Sequence, residues 1–211
     1  MPPVKRLLLA SGNAKKRGEL ERLLTPLGID VVGPADVGGL PEVVEDRPTF
    51  AGNAEKKALS AAATTGEWSL ADDSGLCVDA LGGAPGVRSA RFAGEPCDDA
   101  RNNAKLLAEL ASIDAADRGA HFVCSLALAR PDGTLAGGFE GRAHGRILTE
   151  HRGEGGFGYD PLFLFEEAGQ AESGRTFSEL GAEAKGRVSH RGRALQALVA
   201  ALPELLGPPS S

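Results

Sequence analysis

The sequence predicts an α/β fold of mixed α+β character, in which helices pack on a mixed β-sheet. Residues 4–10 end in an apolar run that is typical of a buried strand, and leucines at helical spacing follow over residues 20–27. Residues 121–130 alternate as a strand does, and a turn at Pro131–Gly133 leads into a second strand over 134–142. Strand–helix units combined with a hairpin indicate a sheet that has both parallel and antiparallel neighbours.

The remaining elements follow from apolar spacing and from capping residues. Further strands are predicted at residues 29–32 and 162–165, and further helices at 49–65, 98–110, near 176–185 and from Ser189 onward. Asp98 and Ser189 are good N-caps, since their side-chain oxygens can accept hydrogen bonds from the first turn of a helix. We predict a single domain over residues 1–205 and a frayed tail over residues 206–211.

The composition excludes several classes of protein. The chain has 211 residues and a net charge of −6, which argues against wrapping nucleic acid or coating an acidic membrane. Its three cysteines are widely spaced, which predicts neither a disulfide framework nor a zinc site and favours a cytoplasmic protein. No apolar run is long enough to span a bilayer, and the N-terminus lacks the pattern of a signal peptide.

The stretch Trp68–Cys77 places two adjacent carboxylates, Asp72 and Asp73, after an apolar run. Neighbouring acids at the mouth of a strand are costly unless a cation lies close to them, so the pair is a candidate metal site. The alternative is that Asp72, Asp73 and Gly75 form an ordinary tight turn, which we predict as the local structure.

A second candidate segment, Ser11–Lys16, joins the first strand to the first helix. Backbone N–H groups at a helix start, together with nearby lysines, can cradle a phosphate. The segment is not a Walker loop, because it lacks the second glycine and the Lys-Ser/Thr pair. The alternative is an ordinary capped helix with solvated lysines.

A glycine-rich loop over residues 149–161, here called the aromatic loop, carries Phe157 and Tyr159. An aromatic ring held among glycines can stack on a nucleobase. The alternative is a mobile loop that one aromatic residue pins to the core. His190 and Arg191 begin the last helix, where a lone histidine is more often structural.

Five segments together resemble the inosine triphosphate pyrophosphatase family. In order they are Ser11-Gly-Asn13 with Lys16, Thr49-Phe50 with Asn53-Ala54, Asp72-Asp-Ser-Gly75 continuing to Leu81–Gly86, Phe157-Gly-Tyr-Asp-Pro161 and Ser189-His-Arg191. The resemblance implies a long central mixed sheet flanked by helices in two lobes, with the active site in the cleft between them and a homodimeric assembly. It also implies Mg²⁺-dependent hydrolysis of noncanonical purine nucleoside triphosphates, namely ITP, dITP and XTP, to the monophosphate and pyrophosphate.

The resemblance further implies individual roles. Asp73 is expected to be the catalytic base and, with Glu45, a ligand of Mg²⁺. The expected substrate-binding residues are Ser11, Gly12, Asn13, Ala14, Lys15, Lys16 and Ser74, followed by Phe157, Gly158, Tyr159, Asp160, Lys185, His190 and Arg191. Asp72 and Lys57 are expected on the metal side and beside the phosphates. Gly52 stands where an acid is common in the family.

Two rival functions are considered. A pyrophosphatase for modified pyrimidines or dTTP would open with a Ser-Pro-Arg-Arg type of turn, which is absent here. A non-catalytic nucleotide sensor would need no hydrolytic base, yet Glu45, Asp72 and Asp73 are all present.

Overall fold

The computed structural model of the chain describes residues 6–206. The strands are β1 (Arg6–Leu9), β2 (Asp30–Val32), β3 (Ser69–Val78), β4 (Gly119–Ala129), β5 (Leu135–Ile147) and β6 (Phe163–Phe165). The helices are α1 (Ala14–Leu24), α2 (Phe50–Thr65), α3 (Asp99–Glu109), α4 (Ala182–Val188) and α5 (His190–Leu206). The strands form one sheet in the order β2-β1-β3-β4-β5-β6. Strand β1 pairs in parallel with β2 and β3, while β5 pairs antiparallel with β6, so the predicted mixed sheet is confirmed.

The described chain divides into two compact units. The first comprises residues 6–73, 125–140 and 194–206, and the second comprises residues 74–124 and 141–193. The predicted single domain over 1–205 stays a prediction. The predicted tail over 206–211 lies outside the described residues, except that Leu206 ends α5.

In the first unit, small residues bring α2 close to the sheet. Ala54, Ala58 and Ala62 of α2 are fully buried, and they pack in one cluster with Ala71 of β3 and Ala127 of β4. Alanine has no side-chain entropy to lose and leaves the helix backbone near the strand. The buried face of α2 is therefore made of alanines.

The Asp72–Asp73 stretch corrects a prediction. Instead of a tight turn, residues 69–78 form one continuous strand, β3, and both aspartates are buried. Turn propensity is a local preference, and the tertiary environment overrides it here. Lys16 and the side chain of Asn53 contact the two carboxylates, so the acids can lie inside a strand.

The second unit contains most of the large aromatic side chains. Its apolar cluster includes Phe122 of β4, Phe163 of β6 and Phe177, all nearly fully buried. Helix α3 begins after the predicted N-cap Asp98, whose side chain accepts from Arg101 N. The helix predicted near residues 176–185 begins later in the chain, as α4.

Helix α4 begins only at Ala182, because residues 176–179 form a turn instead. Thr176 N donates to Glu179 Oε2 at 2.7 Å, and Phe177 is buried in the core. Helix α5 begins at His190, and the predicted cap Ser189 accepts from Gly192 N at 3.1 Å.

Strands β4 and β5 are neighbours in the sheet and are joined by a short turn, which confirms the predicted hairpin. Arg130 N donates to Thr134 O at 2.8 Å across that turn. Over residues 6–206, no helix combines the length and apolar character that crossing a bilayer requires. The three cysteines all lie in this range and form no disulfide.

Candidate active site

The Ser11–Lys16 segment of the first unit forms the start of α1. Asn13 is the N-cap, and its Oδ1 accepts hydrogen bonds from Lys15 N at 3.0 Å and Lys16 N at 3.2 Å. Ser11 Oγ accepts from Asn13 N at 3.3 Å. The capped-helix alternative therefore describes the local geometry. A capped start still presents the positive end of the helix dipole, which favours an anion.

Lys16 reaches from this segment to β3. Its Nζ lies 2.7 Å from Asp72 Oδ2, and the Asp72 side chain is almost fully buried while Lys16 is about one quarter exposed. A buried carboxylate requires a compensating partner. The ion pair thus places a cation of the predicted phosphate segment directly beside the predicted acid pair.

A cavity of about 330 Å³ opens next to the same segment. The residues that line it include Ser11, Gly12, Leu40, Val43 and Lys57. A Cβ atom on Gly12 would meet no atom within 4 Å, so the backbone borders open space there. This cavity brings the predicted phosphate segment and Lys57 together within one unit.

Two adjacent acids of the segment after β2 pair with two adjacent lysines of α2. Lys57 Nζ lies 2.6 Å from Glu45 Oε1, and Lys56 Nζ lies 2.8 Å from Asp46 Oδ1. The hydrogen bond from Lys56 lowers the pKa of Asp46. The predicted metal ligand Glu45 and the predicted phosphate contact Lys57 are therefore in direct contact.

Asn53 connects this acidic segment to Asp73. Its Nδ2 donates to Asp73 Oδ2 at 2.9 Å, and its Oδ1 accepts from Arg47 N at 2.9 Å. The side chain is fully buried in α2, so its two hydrogen bonds hold it in one orientation. Asn53 therefore ties the backbone two residues beyond Glu45 to the predicted catalytic base.

The donor atoms present suit a magnesium ion. Mg²⁺ prefers carboxylate oxygens and is usually held by one or two carboxylates, with waters and substrate phosphates completing its shell. Glu45 and Asp73 supply such oxygens. In the part of the chain that the structure describes, no group of three or more His, Cys, Asp or Glu side chains is placed to hold a metal ion by itself. Glu45 and Asp73 are therefore the residues that would hold the expected Mg²⁺.

In the second unit, the aromatic loop presents Phe157 to solvent. The ring is 61% exposed. Phe157 N donates to Asp160 Oδ2 at 2.9 Å, and the same oxygen accepts from Lys185 Nζ. Lys185 Nζ also lies 4.9 Å from the centroid of the Phe157 ring. The structure therefore brings Phe157, Asp160 and Lys185 together.

Tyr159 has a different environment from Phe157. It is buried, and its hydroxyl donates to Ser89 O at 2.8 Å. Burial raises the pKa of Tyr159, and the charge of Asp99 raises it further. The Tyr159 side chain therefore anchors the aromatic loop to the second unit. This agrees with the alternative given above, in which one aromatic residue pins the loop to the core.

His190 lies in a stack of aromatic rings. Its ring centroid is 4.7 Å from that of Phe122 and 6.3 Å from that of Phe177, and all three planes are nearly parallel. Lys185 Nζ lies 5.5 Å from the Phe177 centroid. Phe177 thus contacts both predicted base-reading residues, Lys185 and His190.

Close packing of two helices fixes His190 and Arg191. A Cβ atom on Gly192 would lie 1.9 Å from Gly186 O, so only glycine allows this approach of α5 to α4. Arg191 is half-buried in the first turn of α5. Ser74 lies on β3 in the second unit and is partly buried.

Sequence reasoning assigned no role to three residues that the structure connects to the site. Asn53 belongs to a quoted motif but its contact with Asp73 was not expected. Asp99 and Asn103 of α3 each contact Gly158 in the aromatic loop. The signal for Asn103 is its residue type, since an asparagine on the inner side of a helix needs a specific partner.

Comparison with known proteins assigns these features to one family. Residues 7–201 match the model of the Ham1 family. The chain is 54% identical over 191 residues to the dITP/XTP pyrophosphatase of Desulforamulus reducens, covering 90% of this chain and 92% of that protein. It is 53% identical to the dITP/XTP pyrophosphatase of Aromatoleum aromaticum over 201 residues, covering 93% and 96%.

Solved structures give the same result. A HAM1 protein from Coxiella burnetii superposes with a TM-score of 0.86 at 39% identity, covering 94% of this chain and 98% of that one. The nucleoside-triphosphatase, or dITP/XTP pyrophosphatase, of Mycobacterium abscessus gives a TM-score of 0.75 at 46% identity, covering 92% and 97%. The likeness at these identities extends over almost the whole chain.

Proposed function

The chain belongs to the Ham1 family, and from that premise we propose that it is a nucleoside-triphosphate pyrophosphatase acting on noncanonical purine nucleotides. The resemblance to the inosine triphosphate pyrophosphatase family is confirmed by these matches. The reaction cleaves the bond between the α- and β-phosphates of ITP, dITP or XTP and releases a nucleoside monophosphate and pyrophosphate. The names of the relatives support this substrate class.

One contact supports the proposal more than any other. Asn53 hydrogen-bonds to Asp73 and to the backbone N–H of Arg47, so one buried side chain holds Asp73 and the backbone two residues after Glu45. Lys16 and Lys57 lie against acids of the same unit. A hydrolase for a highly charged substrate needs acids that activate water and cations that bind phosphate in one place.

In this mechanism the lysines exchange partners. Lys16 and Lys57 turn from Asp72 and Glu45 to phosphate oxygens when the substrate binds. Asp73, which accepts a hydrogen bond from Asn53, accepts the proton of the attacking water. Mg²⁺, which Glu45 and Asp73 would hold, would neutralise the phosphate charge and lower the pKa of the attacking water.

The second unit supplies the recognition of the base. Phe157 stacks on the purine ring, and N–H groups of Lys185, Arg191 and His190 donate hydrogen bonds to the keto oxygen at C6. Adenine presents an amino group there, which leaves buried donors facing a donor. A mismatch of this kind lowers kcat/KM for the wrong base by about 10⁴-fold relative to the correct one.

A substrate panel tests the proposal directly. Pyrophosphate release is measured with ITP, dITP, XTP, GTP, ATP and dTTP, each with Mg²⁺ and with EDTA. We expect rapid release from the first three with Mg²⁺ only, and slow release from ATP and dTTP. Equal turnover of dTTP would favour the pyrimidine pyrophosphatase, and ITP binding without any release would favour the nucleotide sensor.

Three further parts of the proposal concern the cell. The enzyme removes mis-made purine nucleotides from the pool before they are incorporated into DNA and RNA. It acts in the cytoplasm, which agrees with three cysteines that form no disulfide. It acts as a homodimer, which sedimentation at several protein concentrations can test.

A further inference from the structure

Helix α3 holds the aromatic loop through both the backbone N–H and the backbone C=O of one residue, Gly158. Asp99 Oδ2 accepts from Gly158 N at 2.7 Å, and Asn103 Nδ2 donates to Gly158 O at 2.9 Å. Asp99 and Asn103 are four residues apart, so they lie on the same face of the helix. Gly158 is thus bound on its N–H and on its carbonyl by two side chains of a single element.

Gly158 is the position at which this restraint has most effect. Its φ is +58°, a left-handed conformation that glycine adopts without the cost that other residues have. It lies between Phe157, whose ring is exposed, and Tyr159, whose ring is buried. Holding the backbone at Gly158 therefore fixes the orientation of the exposed Phe157 ring relative to the buried Tyr159 ring.

The other contacts of the loop act at positions next to Gly158 and not on its backbone. Phe157 N is bonded to Asp160, whose side chain is held by Lys185 of α4. Tyr159 is bonded to Ser89 O through a long side chain. Among the described residues, only Asp99 and Asn103 join the Gly158 backbone by hydrogen bonds to a helix of the second unit.

We propose that Asp99 and Asn103 are positioning residues, which hold the Gly158 backbone so that Phe157 is already placed to stack on the purine base. This inference rests on the proposed function for its substrate. Neither residue is among those that we propose to bind the phosphates or the base. Their effect is on the affinity for the nucleoside part, because they reduce the ordering that binding would otherwise require.

The kinetic test separates this role from a general loss of structure. Asp99→Ala and Asn103→Leu are each expected to raise the KM for ITP about tenfold, with kcat changed less than threefold, since each removes one hydrogen bond that orders the loop. The increase should be the same for ITP, dITP and XTP. Inhibition by inorganic triphosphate, which has no base, should be unchanged.

Matched variants provide the controls. Asp98→Ala removes the neighbouring aspartate, which caps α3 through Arg101 N and has no contact with Gly158. It should lower the melting temperature without raising the KM. Asp99→Asn keeps an oxygen that can accept from Gly158 N and should restore the KM to within about threefold of the wild type, as a hydrogen-bonding role requires.

Hydrogen exchange gives a readout that needs no substrate. In the wild-type chain without nucleotide, the amide of Gly158 should be protected, and Asp99→Ala should speed its exchange about tenfold or more. If the wild type hydrolyses ITP while the Asp99 and Asn103 variants keep its KM and its protection, the inference is wrong. If the wild type hydrolyses no nucleotide, the proposed function fails instead. Unchanged exchange of the Gly158 amide in Asp99→Ala would then still overturn the positioning role of Asp99.

Discussion

The two sets of candidate site residues are held mainly by different kinds of contact. In the first unit, Lys16 pairs with Asp72 and Lys57 pairs with Glu45, so the predicted cations and acids neutralise one another. In the second unit, Lys185 also pairs with Asp160, but the aromatic loop is held in addition by hydrogen bonds that involve its backbone or the end of a buried tyrosine, and Phe157 stays exposed.

The difference follows from the ligands that each set is proposed to bind. A phosphate chain and a metal ion bring charge of their own, so they can replace the internal ion pairs one for one. A purine base brings only a flat surface and a few polar atoms, so the protein must hold the Phe157 ring in place before the base binds. We therefore expect substitutions in the first unit to change turnover and stability together, and substitutions in the loop to change mainly affinity.

The largest expected effect is at Asp73. Asp73→Asn keeps the size and the contact with Asn53 but cannot accept a proton from water, so kcat should fall about 10²–10⁴-fold. Pyrophosphate release measures turnover, and calorimetry with ITP should show binding that is retained. Asp46→Asn, which alters the exposed acid beside Glu45, is the control and should behave as the wild type. Full turnover in Asp73→Asn would exclude Asp73 as the base.

The Lys16–Asp72 pair tests whether the ion pair is exchangeable. Lys16→Met leaves a buried carboxylate without its nearest cation and should lower the free energy of unfolding by about 2 kcal/mol, measured by urea denaturation. It should also raise the KM for ITP. In Lys16→Met with Asp72→Asn, stability should return while the KM stays high. Recovery of both would mean that Lys16 is only structural.

Phe157 tests the other side of the comparison. Phe157→Ala should raise the KM for every purine substrate about tenfold, because stacking of a base on an aromatic ring contributes about 1–3 kcal/mol. Stability should change little, since the ring is largely exposed. Phe157→Trp keeps an aromatic face and is the matched control. An unchanged KM in the alanine variant would rule out stacking.

The smallest effect is expected at Tyr159. Tyr159→Phe removes the hydrogen bond to Ser89 O and should cost about 1 kcal/mol of stability near pH 7. Burial raises the pKa of Tyr159 in the folded chain, so the folded state favours the neutral phenol. That contribution is complete below the ordinary tyrosine pKa of about 10 and is lost as the pH rises above it.

Urea denaturation of the wild type and Tyr159→Phe between about pH 7 and pH 11 measures this difference. The advantage of the wild type should shrink at the alkaline end as the phenol ionises. A constant difference across this range would mean that the phenol does not titrate differently in the folded and unfolded chain.

The sequence determined by itself those features that depend on local pattern. Apolar runs and helical spacing predicted the strands and most of the helices, and the caps at Asp98 and Ser189 were identified from residue type alone. The order of five short motifs was enough to indicate the family. These features are readable because propensity, capping and apolar periodicity act between residues a few positions apart.

Only the tertiary structure decided how the charged and polar residues pair. The Asp72–Asp73 stretch has turn-forming residues, yet Lys16, which is 56 positions away, lies against Asp72 within a continuous strand. Asn103 reaches Gly158 from 55 positions away. The sequence does not show such pairs because the free energy of a buried polar group depends on which distant partner the fold brings to it, and not on its neighbours along the chain.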